Sequence, residues 1–342
     1  MEESSSSSSF PWELLPRSIQ EEILSKLPIS VLVRLRSISR SFLASIRSLP
    51  PSLSFPRDPF FFLFSSDELL TSSSSVLAYQ PSLDRWITFP LPSNPSAASG
   101  SLLLLSDSLF NPFTGAVISI PPPLPMQSPI YPLYLLIDYG GNRPDLRIIV
   151  VNNSDRVRSQ VYDSASDSWT CRGDLPGHFH MLGSAVLLDG LLYVLSYGPD
   201  HLLRFDLFSG DWETVGGVLP SVVCSHLVAF DGRLFLVGGV ELFGMIVSIQ
   251  VWGFVSKDGG NWELACSMPA EIFRVFNGSE LMEFFDVCDG KGILCFYNHL
   301  EDRLLMLDLV DWRWWWPSRC PVPQNLGFWL GLAVEPNADI LR

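Results

Sequence analysis

Basic side chains are scarce in this sequence: 22 of its 342 residues are Lys or Arg, against 36 Asp and Glu, and the formal net charge is −14. So acidic a balance argues against binding a phosphate backbone, which needs clustered Lys and Arg, and no nucleic-acid partner is expected. The deficit is uneven. Residues 1–50 hold six basic and five acidic side chains, leaving −15 to the remainder; that surplus keeps an apolar domain soluble and would also suit a basic partner. Histidine is scarcer still, at five: His178, His180, His201, His226 and His299. Only His178 and His180 are close in sequence, and with no neighbouring Cys or carboxylate pair they form no metal site; a loop or core role is expected for them. The cysteines, Cys171, Cys224, Cys266, Cys288, Cys295 and Cys320, contain no C-x-x-C pair and read as buried free thiols rather than a disulfide framework. Neither G-x-S-x-G nor a phosphate-binding P-loop occurs, so no enzyme, no cofactor and no metal are expected. No run of 18 uninterrupted apolar residues exists, and no membrane span is expected. Residues 1–9, acidic and then six serines, lack the basic-then-apolar pattern of a secretory signal and read as a disordered tail. A soluble cytoplasmic and/or nuclear protein is the expectation.

What the chain has in abundance is apolar residues, 47% of the total with a mean hydropathy of +0.25, and enough length for two domains. Helical periodicity is confined to residues 10–50. Ile19, Ile23 and Leu27 recur four apart with Leu24 beside them, while Gln20, Glu21 and Lys26 take the other face. Either Pro16 in a first turn or a Ser18 and Glu21 capping box starts this helix, and Pro28 ends it. Leu32, Leu35 and Ile38, then Phe42, Leu43 and Ile46, give two more short helices before Pro50 and Pro51 stop the pattern. About 40 residues bury too little surface to be comfortable alone, so the module wants a partner.

Leu15-Pro16, Ile19, Glu22-Ile23-Leu24, Leu27-Pro28, Leu32, Arg34-Leu35-Arg36, Ile38 and Ser39-Arg40-Ser41 fall in the order of the F-box, which this stretch resembles. Phe42 stands where many members have Trp, and Ser18 where many have an acidic residue. The resemblance implies docking to a Skp-type adaptor and through it to a cullin. Its adaptor-binding residues would be Leu15, Pro16, Ile19, Ile23, Leu24, Leu27, Pro28, Leu32, Leu35, Ile38 and Phe42.

Beyond a proline-rich linker at 51–58, residues 59–336 read as successive strands, with 337–342 as a tail. Asp189-Gly190, Asp231-Gly232 and Asp289-Gly290 each separate two apolar runs, the signal for a two-residue hairpin turn. A longer repeat appears when the sixth residue before each anchor is compared. Asp163 precedes Trp169, Asp206 precedes Trp212 and Asp308 precedes Trp314; Gln80 before Trp86, Asn111 before Val117 and Ser256 before Trp262 fit the same frame. Immediately ahead of the polar residue stands Tyr79, Phe110, Tyr162, Phe205, Val255 or Leu307. Anchor spacings average just under 46 residues, the length of a four-stranded propeller blade. Through GRLFLVGG, with its Gly238-Gly239, and FDLFSGDW the chain resembles kelch-repeat propellers, and through FNPFTG the plant F-box-associated repeats. The expected fold is therefore α+β and multidomain: a three-helix F-box followed by an all-β, six-bladed kelch-type propeller, with five or seven blades also compatible. The final segment GFWLGLAVEP reads as a strand that completes an early blade and closes the ring.

Turn lengths point to the recognition face. Tight DG or SGD turns mark one end of the blades, whereas longer links carry Phe179, His180, Tyr197, His201, Phe243, Arg274, Phe276, Asn298 and His299 at the other; these are the candidate target-binding residues. SKDGGNW, Ser256 to Trp262, is one residue short of the box of sialidase-type propellers, where it supports a turn. Taken with the resemblances, the residues imply a substrate-recognition subunit of a Skp–cullin–F-box ubiquitin ligase binding a protein target. A non-degradative F-box scaffold and a propeller hydrolase or oxidase are the alternatives.

Overall fold

The computed structural model describes residues 12–27, 29–47, 58–65, 75–125, 133–138, 146–153, 156–176, 179, 181–255, 260–278, 282–298, 303–321 and 329–336. The chain divides into two compact units, Met1–Arg57 and Asp58–Arg342.

In the first unit a 3-10 turn, Trp12–Leu14, leads into α1 (Arg17–Ser25), α2 (Ile29–Ile38) and α3 (Arg40–Arg47). Of the two possible starts for α1, the proline is the one used: Pro16 is extended (φ −52°, ψ 143°), its carbonyl accepts from Ile19 and Gln20 N–H at 2.9 and 3.1 Å, and Ser18 lies inside the helix. Gln20 Nε2 reaches back to the Trp12 and Leu15 carbonyls, fixing the entering chain. Ser39 Oγ accepts the Phe42 N–H at 3.1 Å and so caps α3. Leu24 and Leu32 are fully buried, and the Trp12 and Phe42 rings pack at 5.0 Å.

The second unit contains six four-stranded antiparallel sheets among the described residues. Blade one holds β1 (Phe60–Ser65), β2 (Ser75–Gln80) and β3 (Arg85–Pro90); blade two β4 (Ala97–Ser99), β5 (Leu102–Leu104), β6 (Ser108–Phe110) and β7 (Val117–Ser119). Blade three holds β8 (Leu133–Asp138), β9 (Leu146–Asn153), β10 (Arg156–Asp163) and β11 (Ser168–Pro176); blade four β12 (Met181–Leu188), β13 (Leu191–Tyr197), β14 (His201–Asp206) and β15 (Trp212–Val215). Blade five holds β16 (Val223–Phe230), β17 (Arg233–Leu242), β18 (Met245–Val255) and β19 (Asn261–Ser267); blade six β20 (Asp286–Gly290), β21 (Ile293–Asn298), β22 (Arg303–Asp308) and β23 (Arg313–Trp315). The last strand, β24 (Trp329–Val334), pairs with β1 and supplies the fourth strand of blade one. Strands β24, β4, β8, β12, β16 and β20 each adjoin the next and the last adjoins the first, so the six-bladed propeller is closed as the sequence implied. Closure is tight. A Cβ on Gly331 would lie 2.6 Å from Cys288 Sγ, one on Gly290 would lie 2.7 Å from Ala333 Cβ, and Gly331 N–H donates to Tyr297 Oη at 2.9 Å.

The anchors sit where the repeat placed them, opposite the large apolar residue of the preceding strand: Tyr79 pairs with Trp86, Phe110 with Val117, Tyr162 with Trp169, Phe205 with Trp212 and Leu307 with Trp314. In blade five the frame slips. Phe254, not Val255, faces Trp262, because Val255 pairs with Asn261; Ser256 lies outside the described residues. The polar residue six before the anchor caps its turn. Asn111 Oδ1 accepts from Phe113 and Thr114 N–H, Asp206 Oδ1 from Phe208 and Ser209, Asp163 Oδ1 from Ala165 and Asp308 Oδ1 from Val310, all between 2.7 and 3.1 Å. Two residues before the anchor the backbone is left-handed in every blade, at Asp84, Gly115, Asp167, Gly210, Gly260 and Trp312. Indole N–H groups then reach backward: Trp86 donates to the Ser318 carbonyl (2.8 Å), Trp169 to that of Pro121 (2.7 Å) and Trp212 to Ser159 Oγ (3.3 Å), each in or just beyond the preceding blade.

Of the three Asp-Gly turns, Asp189-Gly190 and Asp231-Gly232 have the paired positive φ of a two-residue hairpin. The third expectation is corrected: Asp289 and Gly290 end β20, and the turn is Lys291-Gly292, since Gly290 pairs with Ile293 and needs its missing side chain for the contact with Ala333.

Burial and the Asp167 carboxylate push the Tyr162 phenol up to about 12, and Tyr79, hydrogen-bonded to Asp84, and Tyr297 are raised further, in each case mainly by burial. A phenol whose pKa is raised by folding contributes stability that is intact below about pH 10 and is lost as pH climbs through the folded-state value. Absorbance at 295 nm should therefore show a subset of the eight tyrosines ionising only together with loss of circular dichroism. Titration of all of them near pH 10 in the folded protein would contradict the buried positions.

Candidate functional site

In a meandering blade the second turn and the link to the next blade share one end, and those candidate target-binding residues that the structure describes lie there. Phe179 precedes β12 and packs edge-on against His201 at 6.3 Å, which opens β14. Tyr197 lies across Gly183, where a Cβ would come within 2.4 Å of the ring, and its hydroxyl donates to the Ser225 carbonyl at 3.4 Å. Phe243, at the turn of the blade-five hairpin, is 90% exposed. His180 and His299 lie outside the described residues.

Two candidates are corrected. The segment read as a loop bearing Arg274 and Phe276 is a helix, α4 (Ala270–Asn277), entered from an extended Pro269. Ile272, Phe273 and Phe276 lie at helical spacing and turn inward. Phe276 is fully buried with Val251, Met282 and Phe296, leaving it no surface to offer a partner. Asn298 is buried as well. Its Nδ2 donates to the Phe276 carbonyl at 2.8 Å and the Asn277 carbonyl at 3.3 Å, satisfying the end of α4. Arg303 also engages the Val275 carbonyl, while Arg274 stays exposed. Helix α4 is thus bound to blade six by side chains that clamp its carbonyls.

A polar chain that sequence reading missed crosses three inner strands. Ser184 Oγ on β12 lies 3.3 Å from His226 Nδ1 on β16, and His226 Nε2 lies 3.1 Å from Asp289 Oδ1 on β20. The serine oxygen also accepts the Leu227 N–H at 3.0 Å, and in the Nε2-protonated tautomer of His226 the hydroxyl donates to Nδ1 and Nε2–H donates to the carboxylate, which satisfies every member. The arrangement ties blades four, five and six. Among the described residues no group of three His, Cys, Asp or Glu is placed to hold a metal.

Comparison with known families agrees with this architecture. The F-box domain profile matches residues 12–53, and that of the KIB1-4 beta-propeller matches residues 72–287, more than half of the chain. The chain belongs to the KIB1-4 β-propeller family. Similar proteins are known from Arabidopsis thaliana. One F-box/kelch-repeat protein is 29% identical over an alignment spanning 96% of this chain and 88% of its own length, and another is 24% identical over 96% and 90%. F-box only protein 6 is 23% identical over 95% and 74%. The kelch-type repeats read from the sequence thus belong to a KIB1-4 propeller whose relatives carry kelch in their names.

In this family member the F-box unit sorts its own candidates. Leu24 and Leu32 are core, and Leu15, Leu27, Leu35 and Phe42 are partly buried. Pro16, Ile19, Ile23 and Ile38 are exposed, with Leu14 and Val31 beside them as apolar surface that the motif alone did not single out. Pro28 lies outside the described residues.

Replacing Phe276 by Ala should cost about 3–5 kcal/mol of stability in denaturant unfolding, as emptying a large buried site does. Replacing His226 by Ala should cost about 1–3 kcal/mol by orphaning Ser184 and Asp289. An unchanged midpoint in either variant would contradict the packing described.

Proposed function

We propose that this KIB1-4 propeller protein is the target-recognition subunit of a Skp–cullin–F-box ubiquitin ligase, with residues 10–50 holding the adaptor and residues 59–336 presenting the target. The observation that carries the reading is an F-box whose helices keep Ile19, Ile23 and Ile38 at the surface although the unit has a core of its own in Leu24 and Leu32. Exposed isoleucines on so small a module are explained by a partner that covers them. The propeller supports the other half: a rigid closed ring with links of varied composition on one end is a binding scaffold, and ubiquitin transfer would be the work of other subunits. Phe179, Tyr197, His201, Phe243 and Arg274 remain the target-facing candidates. A soluble cytoplasmic or nuclear location goes with this role, and among the described residues no helix is long and apolar enough to cross a membrane.

Serine at both Ile19 and Ile23, which are 40% and 38% exposed, should weaken capture of a purified Skp-type adaptor roughly 10- to 100-fold, the equivalent of about 1.4–2.8 kcal/mol. Helical circular dichroism should be retained. Serine at Leu24 should unfold the module instead. Adaptor capture undiminished by the Ile19 and Ile23 changes would refute the assignment, and a target whose lifetime is unchanged when the protein is removed would leave a non-degradative scaffold.

A further inference from the structure

The hairpin of blade five differs from its sisters. Strands β17 and β18 run 10 and 11 residues, against 8 and 8 for β9 and β10, 7 and 6 for β13 and β14 and 6 and 6 for β21 and β22. Two to four extra residues in β17 carry its tip roughly 7–13 Å further, at about 3.3 Å each. The tip is a two-residue turn, Phe243-Gly244, with φ of +54° and +80°. At the corresponding position the other two-residue turns with a left-handed first residue, among the described residues, have Gly100, Asp189, Asp231 and Lys291. Polar residues suit the left-handed region, and a bulky aromatic there has no local reason to be chosen. A bulge follows: Val240 pairs with Ser248 and Glu241 with Ile246, so Val247 is extra and is turned to solvent. Leu242, Phe243 and Val247 together make an exposed apolar tip.

The tip is held from behind. Ile246 N–H donates to the Met282 carbonyl at 2.9 Å, Met282 is fully buried, and Gly239 admits Ile246 and Phe285 at close range. Carboxylates lie along the same contacts. Glu241 pairs with Ile246 two residues before the turn, Glu283 follows Met282, and Asp286 opens β20; all three are exposed, and both Glu241 and Asp286 lie within electrostatic reach of the Cys224 thiol. This local charge has the sign of the whole region beyond residue 50, net −15.

We infer that the blade-five tip docks a basic segment of a target protein anchored by a bulky apolar side chain. The apolar group packs on Leu242, Phe243 and Val247, and flanking Lys or Arg side chains face Glu241, Glu283 and Asp286. The inference rests on the recognition role proposed above and names the chemistry of what is recognised.

Fluorescence anisotropy with the full-length protein tests it, using three labelled synthetic peptides of equal length. One is Lys/Arg-rich with Leu and Phe, one keeps Leu and Phe but has Glu for every cation, and one is basic with Ser for every Leu and Phe. The first should bind at least 10-fold more tightly than the others. Phe243→Asn, which suits the left-handed turn, should weaken it at least 10-fold with an unchanged Tm, and Glu241→Lys with Glu283→Lys should weaken it and flatten its salt dependence. No binding of the first peptide, equal binding of either control, or unaltered binding by the variants would overturn the inference. So would a dimer in light scattering that Phe243→Asn dissolves, since the tip would then belong to a second copy. Adaptor capture measured on the same preparation separates the two readings: if it fails while the basic peptide binds as described, the ligase role falls and the docking site stands, and in the opposite case the docking site alone falls.

Discussion

A four-stranded sheet with two apolar faces has no stable existence unless both are covered, and that constraint governs the larger unit of this protein. Each core cluster lies between consecutive blades: Ile148 and Tyr162 meet Leu102 and Leu104 between blades two and three, and Phe61 and Tyr79 meet Cys295 and Met306 where blade six returns to blade one. No blade has an interior of its own. The backward-reaching indoles add direction to this dependence, since Trp86, Trp169 and Trp212 satisfy their N–H in or just beyond the blade before their own. Glycines at Gly290 and Gly331 are then a requirement of geometry, because the inner strands at the seam approach too closely for any side chain.

Much of the architecture was legible because the residues that mark it are uncommon ones in fixed relation. An anchor, mostly tryptophan, with a polar residue six positions earlier encodes a hairpin whose turn is capped by a short carboxylate or amide in four of the blades, and both halves of that signal are local. The helices of the F-box were legible for the same reason. Local signals also misled where a position had two duties. Asp289-Gly290 has the chemistry of a turn, but Gly290 is needed for the seam and Lys291 takes the left-handed position instead. In blade five the anchor survived while its partner moved from Val255 to Phe254, a one-residue change that spacing alone cannot register.

The end of the blades proposed for recognition was less legible. Ile272, Phe273 and Phe276 have helical spacing, yet in a region of strands Phe276 reads as a loop aromatic; only the tertiary structure shows that all three pack against the core of blades five and six. Asn298 looked like a contact residue because polar side chains in links usually are, and its partners are carbonyls of a helix more than twenty residues away. The Ser184–His226–Asp289 chain joins groups 42 and 63 residues apart, and the angle between blades that brings them together is a property of the ring. Phe243 stands out in the sequence as an aromatic in one of the longer links, whereas Leu242 and Val247 became visible only with the strand lengths and the bulge.

The last strand of the ring has a temporal consequence. During synthesis β1, β2 and β3 emerge early, but their innermost neighbour is residues 329–334, so blade one stays a three-stranded sheet with an open inner edge until about 240 further residues have been made. At ~5–20 residues per second that interval is on the order of ten seconds to a minute. Throughout it Phe60, Phe61, Phe62 and Phe64, all buried in the finished ring, belong to an uncapped strand of high aggregation tendency. The nascent chain is therefore most vulnerable at its oldest blade, and a general chaperone would have the longest opportunity to bind there.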